Sequence, residues 1–228
     1  MDNPIIKVVI PAQNEERAIG KVISEIPDWV SEVIVADNGS TDETAKVAKD
    51  NGATVVSVPV AGYGRACLGG IAAAGEYDIL VFLDGDASDY PEDMAALVQP
   101  IRDGKADMVI GSRVLGERQK GSLTPQQRFG NELACWLMKL IWKHSYTDLG
   151  PFRAITRTGL ESLNMEAPTF GWTVEMQIRA LKQKLRCQDV AVRYRNRIGK
   201  SKISGTVKGV ILAGFYILGT IFKEAVRR

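Results

Sequence analysis

The chain has 228 residues, a formal net charge of +2, one histidine and three cysteines. That length can bury the core of one α/β domain with an appended element, and so small a net charge gives no ground for a nucleic-acid binder. His144 stands alone and Cys67, Cys135 and Cys187 lie far apart among apolar residues. These facts argue against a Cys/His zinc site and most Ser-His-Asp or Cys-His chemistry, and leave the cysteines as reduced core thiols.

In chain order, Ile5–Ile10 is a β-branched run that predicts a strand. Polar Gln13-Asn14-Glu15-Glu16 follows, then a helical pattern through Ile19, Val22, Ile23 and Ile26. Glu32–Ala36 reads as the next strand, and Asp37-Asn38-Gly39-Ser40 turns into a helix capped near Thr41 or Asp42. Thr54–Val58 is a third strand, Gly62-Tyr63-Gly64 opens a helix, Ile79–Leu83 is a fourth strand and Pro91 starts another helix. Met108–Ile110 is a short fifth strand. Repeated βα units imply a mostly parallel sheet, in which ligands collect beyond the carboxyl ends of the strands. Further on, Pro125–Trp142 reads as a helix with Leu133, Leu137, Leu140 and Ile141 on one face. Thr173–Lys184 reads as another helix, and Arg186–Tyr194 as a late strand.

Asp84-Gly85-Asp86 closes the fourth strand. Two carboxylates one residue apart at such a strand end can share one hard divalent cation. The glycine between them lets a ligand approach, and the open part of the ion's shell suits phosphate oxygens, so the chemistry points to a nucleotide diphosphate. An Asp-x-Asp triplet alone serves equally well as loop solvation or a helix cap. What favours the metal is company: the polar clusters after Ile10, Ala36, Val58 and Leu83 all fall at the same end of the predicted sheet.

Near the carboxyl terminus the character changes. No acidic residue lies between Asp189 and Glu224, while Arg193, Arg195, Arg197, Lys200, Lys202, Lys208 and Lys223 do. This is either a solvated basic edge or a surface for phosphate or an anionic membrane. Gly209–Phe222 is uncharged and mostly apolar. As a helix it would be about 21 Å long, short of the roughly 30 Å of a bilayer core. It therefore reads as a buried core helix, a helix lying in the membrane interface, or a homo-oligomer contact. We place a main domain at residues 1–204 and this apolar, basic helix at 205–228. The start of the chain shows no basic n-region and no cleavable signal, so the expectation is a cytoplasmic protein, peripheral on the cytoplasmic face of the membrane.

Val9-Ile10-Pro11-Ala12-Gln13-Asn14-Glu15-Glu16, Ala36-Asp37-Asn38-Gly39-Ser40-Thr41-Asp42 and Leu83-Asp84-Gly85-Asp86 resemble the opening motifs of family 2 glycosyltransferases. Gly111-Ser112-Arg113, Gln127-Arg128-Phe129-Gly130-Asn131, Asp148-Leu149-Gly150-Pro151-Phe152-Arg153 and Gly199-Lys200-Ser201-Lys202 resemble the dolichyl-phosphate mannosyl- and glucosyltransferase branch. The resemblance runs from about Ile5 to the start of the C-terminal helix. It implies a GT-A fold, a Rossmann-like sheet flanked by helices, with a UDP-sugar or GDP-sugar donor and Mg2+ or Mn2+.

By that resemblance Pro11, Gln13, Glu15, Asp37 and Asn38 line the nucleoside pocket, and Gly62, Tyr63, Gly64 and Arg65 crowd the ribose and phosphates from the side. Asp84, Gly85 and Asp86 hold the metal-diphosphate, with Ser88 where relatives often carry a glutamine that also reaches the ion. Arg113, Arg128, Lys202 and either Arg195 or Arg197 match positions that grip an acceptor phosphate, a job suited to permanently charged guanidinium forks. Asn196 stands where relatives place the arginine.

A polyprenyl phosphate acceptor is already an anion near neutral pH and needs no general base, so positioning and metal stabilisation of the leaving diphosphate would suffice. A hydroxyl acceptor would need a carboxylate base, for which Asp148 and Glu175 are the candidates, Glu175 also reading as a partner of Arg153 or a loop clamp. A sugar-phosphate nucleotidyltransferase is the remaining enzyme class. Its glycine-rich basic loop after the first strand is absent, since Pro11-Ala12-Gln13-Asn14-Glu15 stands there. A nucleotide-sugar-binding membrane adaptor is the non-enzymatic alternative.

Overall fold

The computed structural model describes residues 4–199 and 207–227. Seven strands form one sheet: β1 (Ile6–Ala12), β2 (Glu32–Asp37), β3 (Thr54–Ser57), β4 (Ile79–Phe82), β5 (Met108–Ser112), β6 (Arg153–Thr156) and β7 (Cys187–Ala191), in the order β3-β2-β1-β4-β6-β5-β7. Every pairing is parallel except those of β6, which runs antiparallel to both β4 and β5. Strand side chains alternate between two cores. Val8 and Ile10 of β1, with Ile79 and Val81 of β4, face one side, while Val9, Leu80 and Phe82 face the other. Because both faces are covered, these strands are continuous apolar runs.

The first face is covered by α1 (Ile19–Ser24), α2 (Thr44–Asp50) and α4 (Met94–Arg102). The second is covered by α3 (Tyr63–Ala73), α5 (Pro125–Trp142), α6 (Arg157–Leu163), α7 (Trp172–Lys182) and, outermost, α8 (Val207–Val226). The GT-A-type α/β architecture is as expected, but β6 and α6 were not foreseen. β6 has four residues and opens on Arg153, a residue type that normally signals surface. Here Arg153 is fully buried because its guanidinium donates to the backbone oxygens of Thr173 (2.9 Å), Leu149 (3.2 Å) and Gly150.

The buried face of α5 also differs from the predicted one. Thr124 and Gln127 form a reciprocal capping box, with Pro125 in the first turn, which fixes the predicted start. However, α5 buries Ala134, Cys135 and Met138, and leaves Leu140 and Ile141 exposed together with Phe129 and Trp136. Met138 anchors α5 in the second core, with Leu137 and Trp142 half-buried beside it, while Phe129, Trp136, Leu140 and Ile141 turn outward.

α8 is longer than the predicted apolar segment: its 20 residues span about 30 Å. Length and composition alone would let Gly209–Val226 cross a bilayer. It nevertheless lies along the body, packed on α5 and α7, with Ile221 and Glu224 buried. Glu224 accepts from Arg179 (3.2 Å) and Lys182 (2.9 Å). On its outer side Ile211 and Phe215 are 66% and 71% exposed.

Candidate functional site

A cavity of about 350 Å³ opens at the carboxyl ends of β1, β2 and β4. Pro11, Gln13 and Glu15 enter it from the end of β1, Asn38 from β2, and Asp84, Gly85 and Asp86 from β4. The far wall is Tyr63 of α3, which belongs to the segment expected beside the ribose and phosphates, together with Thr169 and Phe170 before α7 and Leu212 and Tyr216 of α8, which were not foreseen. Tyr63 carried a sequence signal in its flanking glycines. Leu212 and Tyr216 carried none, because only the fold returns α8 to this end of the sheet. A second depression of about 340 Å³ lies at the opposite sheet end, where Arg157 and Arg186 are paired with Glu76 and Asp107.

Local hydrogen bonds fix the cavity rim. Asn38 Nδ2 donates to the carbonyls of Val58 and Val60, both at 2.9 Å, and its Oδ1 accepts from Gly62 N–H at 2.7 Å, tying β2 to the entry of α3. Asp37, expected in the nucleoside pocket, stands outside the cavity wall and accepts from Ser40 N–H at 3.3 Å. Gly64 lies behind the wall: a Cβ there would collide with the Ala167 carbonyl oxygen, so the glycine permits close packing of α3 on the 166–168 loop. Arg65 donates to its own Ala61 carbonyl at 2.8 Å. A Cβ on Gly85 would face Ile10 and Ile19, so this glycine serves packing against β1 and α1 and not only ligand approach.

The paired carboxylates are held differently. Asp86 Oδ1 accepts from both N–H (2.9 Å) and Oγ–H (2.5 Å) of Ser88, and its Oδ2 lies 3.1 Å from Arg197. Ser88 is thus an orienter of Asp86. Asp84 Oδ1 accepts from the Tyr63 hydroxyl at 3.2 Å. Burial first, and then the Asp86 carboxylate, push the Asp84 pKa up to about 7. Asp89, which sequence reasoning passed over, is buried nearby, and burial followed by Asp84 and Asp86 raises its pKa well above the carboxylate range. This density of buried negative charge is what a divalent cation would relieve, and the oxygen donors suit Mg2+ or Mn2+. Among the described residues no cluster of three or more His, Cys, Asp or Glu has metal-cage geometry. Two carboxylates with the remaining shell given to phosphate oxygens match the habit of such ions.

The candidate arginines separate. Arg197 lines the cavity, bridging Glu15 (2.9 Å) and Asp86 (3.1 Å), and its Nε is buried without a partner among the described residues. Arg195 faces away, bound to Glu25 and the Ala87 carbonyl and stacked 4.5 Å from the centroid of Tyr90. Of the two alternatives, Arg197 is the one that reaches the cavity. Arg128 sits exposed in the first turn of α5, and Lys202 lies outside the described residues.

Arg113 is bound to Asp148 by its N–H (2.8 Å), Nε (2.8 Å) and Nη2 (2.6 Å), and stacks 5.1 Å from the centroid of Tyr194. Burial works to raise the Asp148 pKa, but the charge and hydrogen bonds of Arg113 outweigh it and hold the carboxyl below its ordinary value. A fully buried, ion-paired carboxylate of this kind is a poor general base and a good clamp. Glu175 is also buried. It accepts from the N–H groups of Glu166 (3.0 Å) and Ala167 (2.8 Å) and pairs with Arg179 at 2.9 Å. Of the roles foreseen for it, this geometry is that of the loop clamp, with Arg179 and not Arg153 as its ion-pair partner.

The chain matches the model of glycosyl transferase family 2 over residues 7–170. It is 34% identical over 215 residues to an uncharacterized glycosyltransferase of Mycobacterium tuberculosis, covering 93% of this chain and 96% of that protein. It is 27% identical over 217 residues to the UDP-N-acetylglucosamine–dolichyl-phosphate N-acetylglucosaminyltransferase of Methanococcus voltae, covering 85% and 86%. Among solved structures it is similar to glucosyl-3-phosphoglycerate synthase of Mycobacterium tuberculosis in complex with Mn2+, UDP and glucosyl-3-phosphoglycerate. That match has a TM-score of 0.80 and 28% identity, and covers 98% of this chain and 81% of that one. With the paired aspartates standing at the carboxyl end of β4 inside the matched region, the chain belongs to glycosyl transferase family 2.

Proposed function

We propose that this enzyme transfers a hexose from a UDP-sugar or GDP-sugar to a polyprenyl phosphate at a membrane surface, with Asp84 and Asp86 holding Mg2+ or Mn2+. The similar synthase binds Mn2+ and UDP, which favours the uracil nucleotide and the metal. The observation that carries the lipid acceptor is the wall of the cavity. Leu212 and Tyr216 of α8 stand in the same cavity as Asp84 and Asp86, while the outer side of that helix exposes Ile211 and Phe215. An apolar helix that touches both the cavity and the solvent suits an acceptor with a charged head and an apolar tail.

In this reading Gln13 and Pro11 receive the nucleoside, and Arg197, released from Asp86 and Glu15, turns its fork to phosphate. A bound divalent cation supplies charge neutralisation for the departing diphosphate. The acceptor phosphate oxygen attacks the anomeric carbon in line, with inversion, and gives up no proton. The hydroxyl-acceptor reading draws support from the phosphoglycerate-using synthase. Against it, both expected carboxylate bases are engaged as clamps.

A screen of UDP- and GDP-sugars against polyprenyl phosphates, 3-phosphoglycerate and simple glycosyl acceptors, read by mass spectrometry, tests the proposal. A glycosylated polyprenyl phosphate is expected, and transfer to 3-phosphoglycerate or a sugar hydroxyl alone overturns it. Arg128→Ala should raise the apparent KM for the lipid acceptor about tenfold with little change for the donor, the loss of one charge-assisted phosphate contact. Equal changes would place Arg128 on the donor.

For the membrane, deleting α8 is a poor probe, since it uncovers the Ile221 site and strips Arg179 and Lys182 of Glu224. Substituting the exposed residues is cleaner. Ile211→Glu with Phe215→Glu should lower partitioning to anionic vesicles and the use of long-chain acceptors, with donor binding retained. Unchanged partitioning by flotation makes a contact between copies of the chain the better use of α8.

A further inference from the structure

The Tyr63 hydroxyl donates to Asp84 Oδ1 at 3.2 Å, and the same side chain lines the cavity. Both its ring and its backbone are held in place. It meets Trp172 edge-on with centroids 6.2 Å apart, and Trp172 in turn packs on Phe82 of β4 at 4.9 Å, two residues before Asp84. Its backbone stands between Gly62 and Gly64, whose missing Cβ atoms let the start of α3 press against the carbonyls of Pro168 and Ala167. Arg65 N–H closes that contact on Pro168 O at 3.1 Å. The 166–168 loop is itself clamped by Glu175.

We propose that Tyr63 is a positioning residue of the metal centre, fixing the carboxylate plane of Asp84 so that the pair with Asp86 is ready for a divalent cation. The inference rests on the reading of Asp84 and Asp86 as the metal pair. Asp86 has its own orienter in Ser88, which uses backbone and side chain together. Among the described residues, Tyr63 is the side-chain donor to the Asp84 carboxylate. One phenol hydrogen bond occupies one lone pair, so Asp84 keeps the acceptor capacity that a cation needs. Carboxylate ligands held by a neighbouring donor lose metal affinity when that donor is removed, commonly by 10–100-fold. Tyr63 also makes Glu175 matter without chemistry: the clamp on the loop is two contacts away from the Asp84 carboxylate.

The test is Mn2+ binding to the purified full-length protein, read from the free Mn2+ signal in electron paramagnetic resonance, for wild type, Tyr63→Phe and Asp84→Ala. Metal-free UDP binding by calorimetry in chelator is measured alongside. Tyr63→Phe retains the ring on Trp172, so the expected result is Mn2+ affinity lowered about tenfold with metal-free UDP binding unchanged. Activity should then recover as Mn2+ is raised, a split that a merely structural role would not give. If Tyr63→Phe binds Mn2+ like wild type while Asp84→Ala does not, the positioning role is wrong and the metal pair stands. If both bind like wild type, the metal pair itself fails. Loss of metal-free UDP binding together with Mn2+ binding would make Tyr63 a cavity-packing residue and also overturn the proposal.

Discussion

Replacing Asp84 or Asp86 with alanine is expected to lower sugar transfer by a factor on the order of a thousand or more, because the charge that builds on a departing diphosphate loses its counter-ion. The fold should survive, since both residues stand beyond the end of β4 and outside its ladder. Asp84→Ala should even raise the melting temperature of the metal-free protein at pH 8. Its folded-state pKa of about 7 lies above the ordinary value, so ionising it in the fold costs stability that is progressively lost as pH rises from about 4 to about 7. Removing the carboxyl removes that cost. Product formation by mass spectrometry, near-ultraviolet circular dichroism and thermal melts check the three parts. Near-wild-type turnover of either variant in Mn2+ or Mg2+ would remove the metal pair from the mechanism.

The second large effect is on stability and separates two readings of Asp148. As the buried partner of Arg113, Asp148→Ala should cost about 3 kcal/mol, because it strands a charge that is mostly out of water. Asp148→Asn should cost less but in the same direction. The depressed pKa of Asp148 sets the pH window: its contribution is fully present above about pH 4 and fades as pH falls through the lower folded-state value. The gap between wild type and Asp148→Asn in urea denaturation should therefore close in acid. A general base would behave otherwise, with normal denaturation midpoints and a collapsed rate. That outcome would return the hydroxyl acceptor to consideration.

Much of the cavity was legible in the chain. The apolar runs of β1, β2 and β4 end in Pro11-Ala12-Gln13, Asp37-Asn38 and Asp84-Gly85-Asp86, and a parallel sheet delivers such ends to one place. Pro11, Gln13, Glu15, Asn38, Asp84, Gly85 and Asp86 do meet at one cavity. The arginines were harder to read. Arg113, Arg195 and Arg197 look alike in sequence, and their partners are residues 35, 170 and 182 positions away: Asp148, Glu25 and Glu15. All three are ion-paired, and no local pattern encodes which guanidinium reaches the cavity.

The sequence by itself determined the βα succession, the end of the sheet at which the polar clusters gather and the pairing of Asp84 with Asp86 beyond the fourth strand, because strand periodicity and strand ends are local properties. Tertiary structure decided the rest. It inserted β6 antiparallel between β4 and β5, buried Arg153 by giving it backbone acceptors, and turned Phe129, Trp136, Leu140 and Ile141 of α5 outward. It also brought Leu212 and Tyr216 from the far end of the chain into the cavity wall, and set the Tyr63 hydroxyl on Asp84. These are contacts between segments distant in sequence, and their geometry comes from packing, which depends on the shapes of both partners and cannot be read from either one alone.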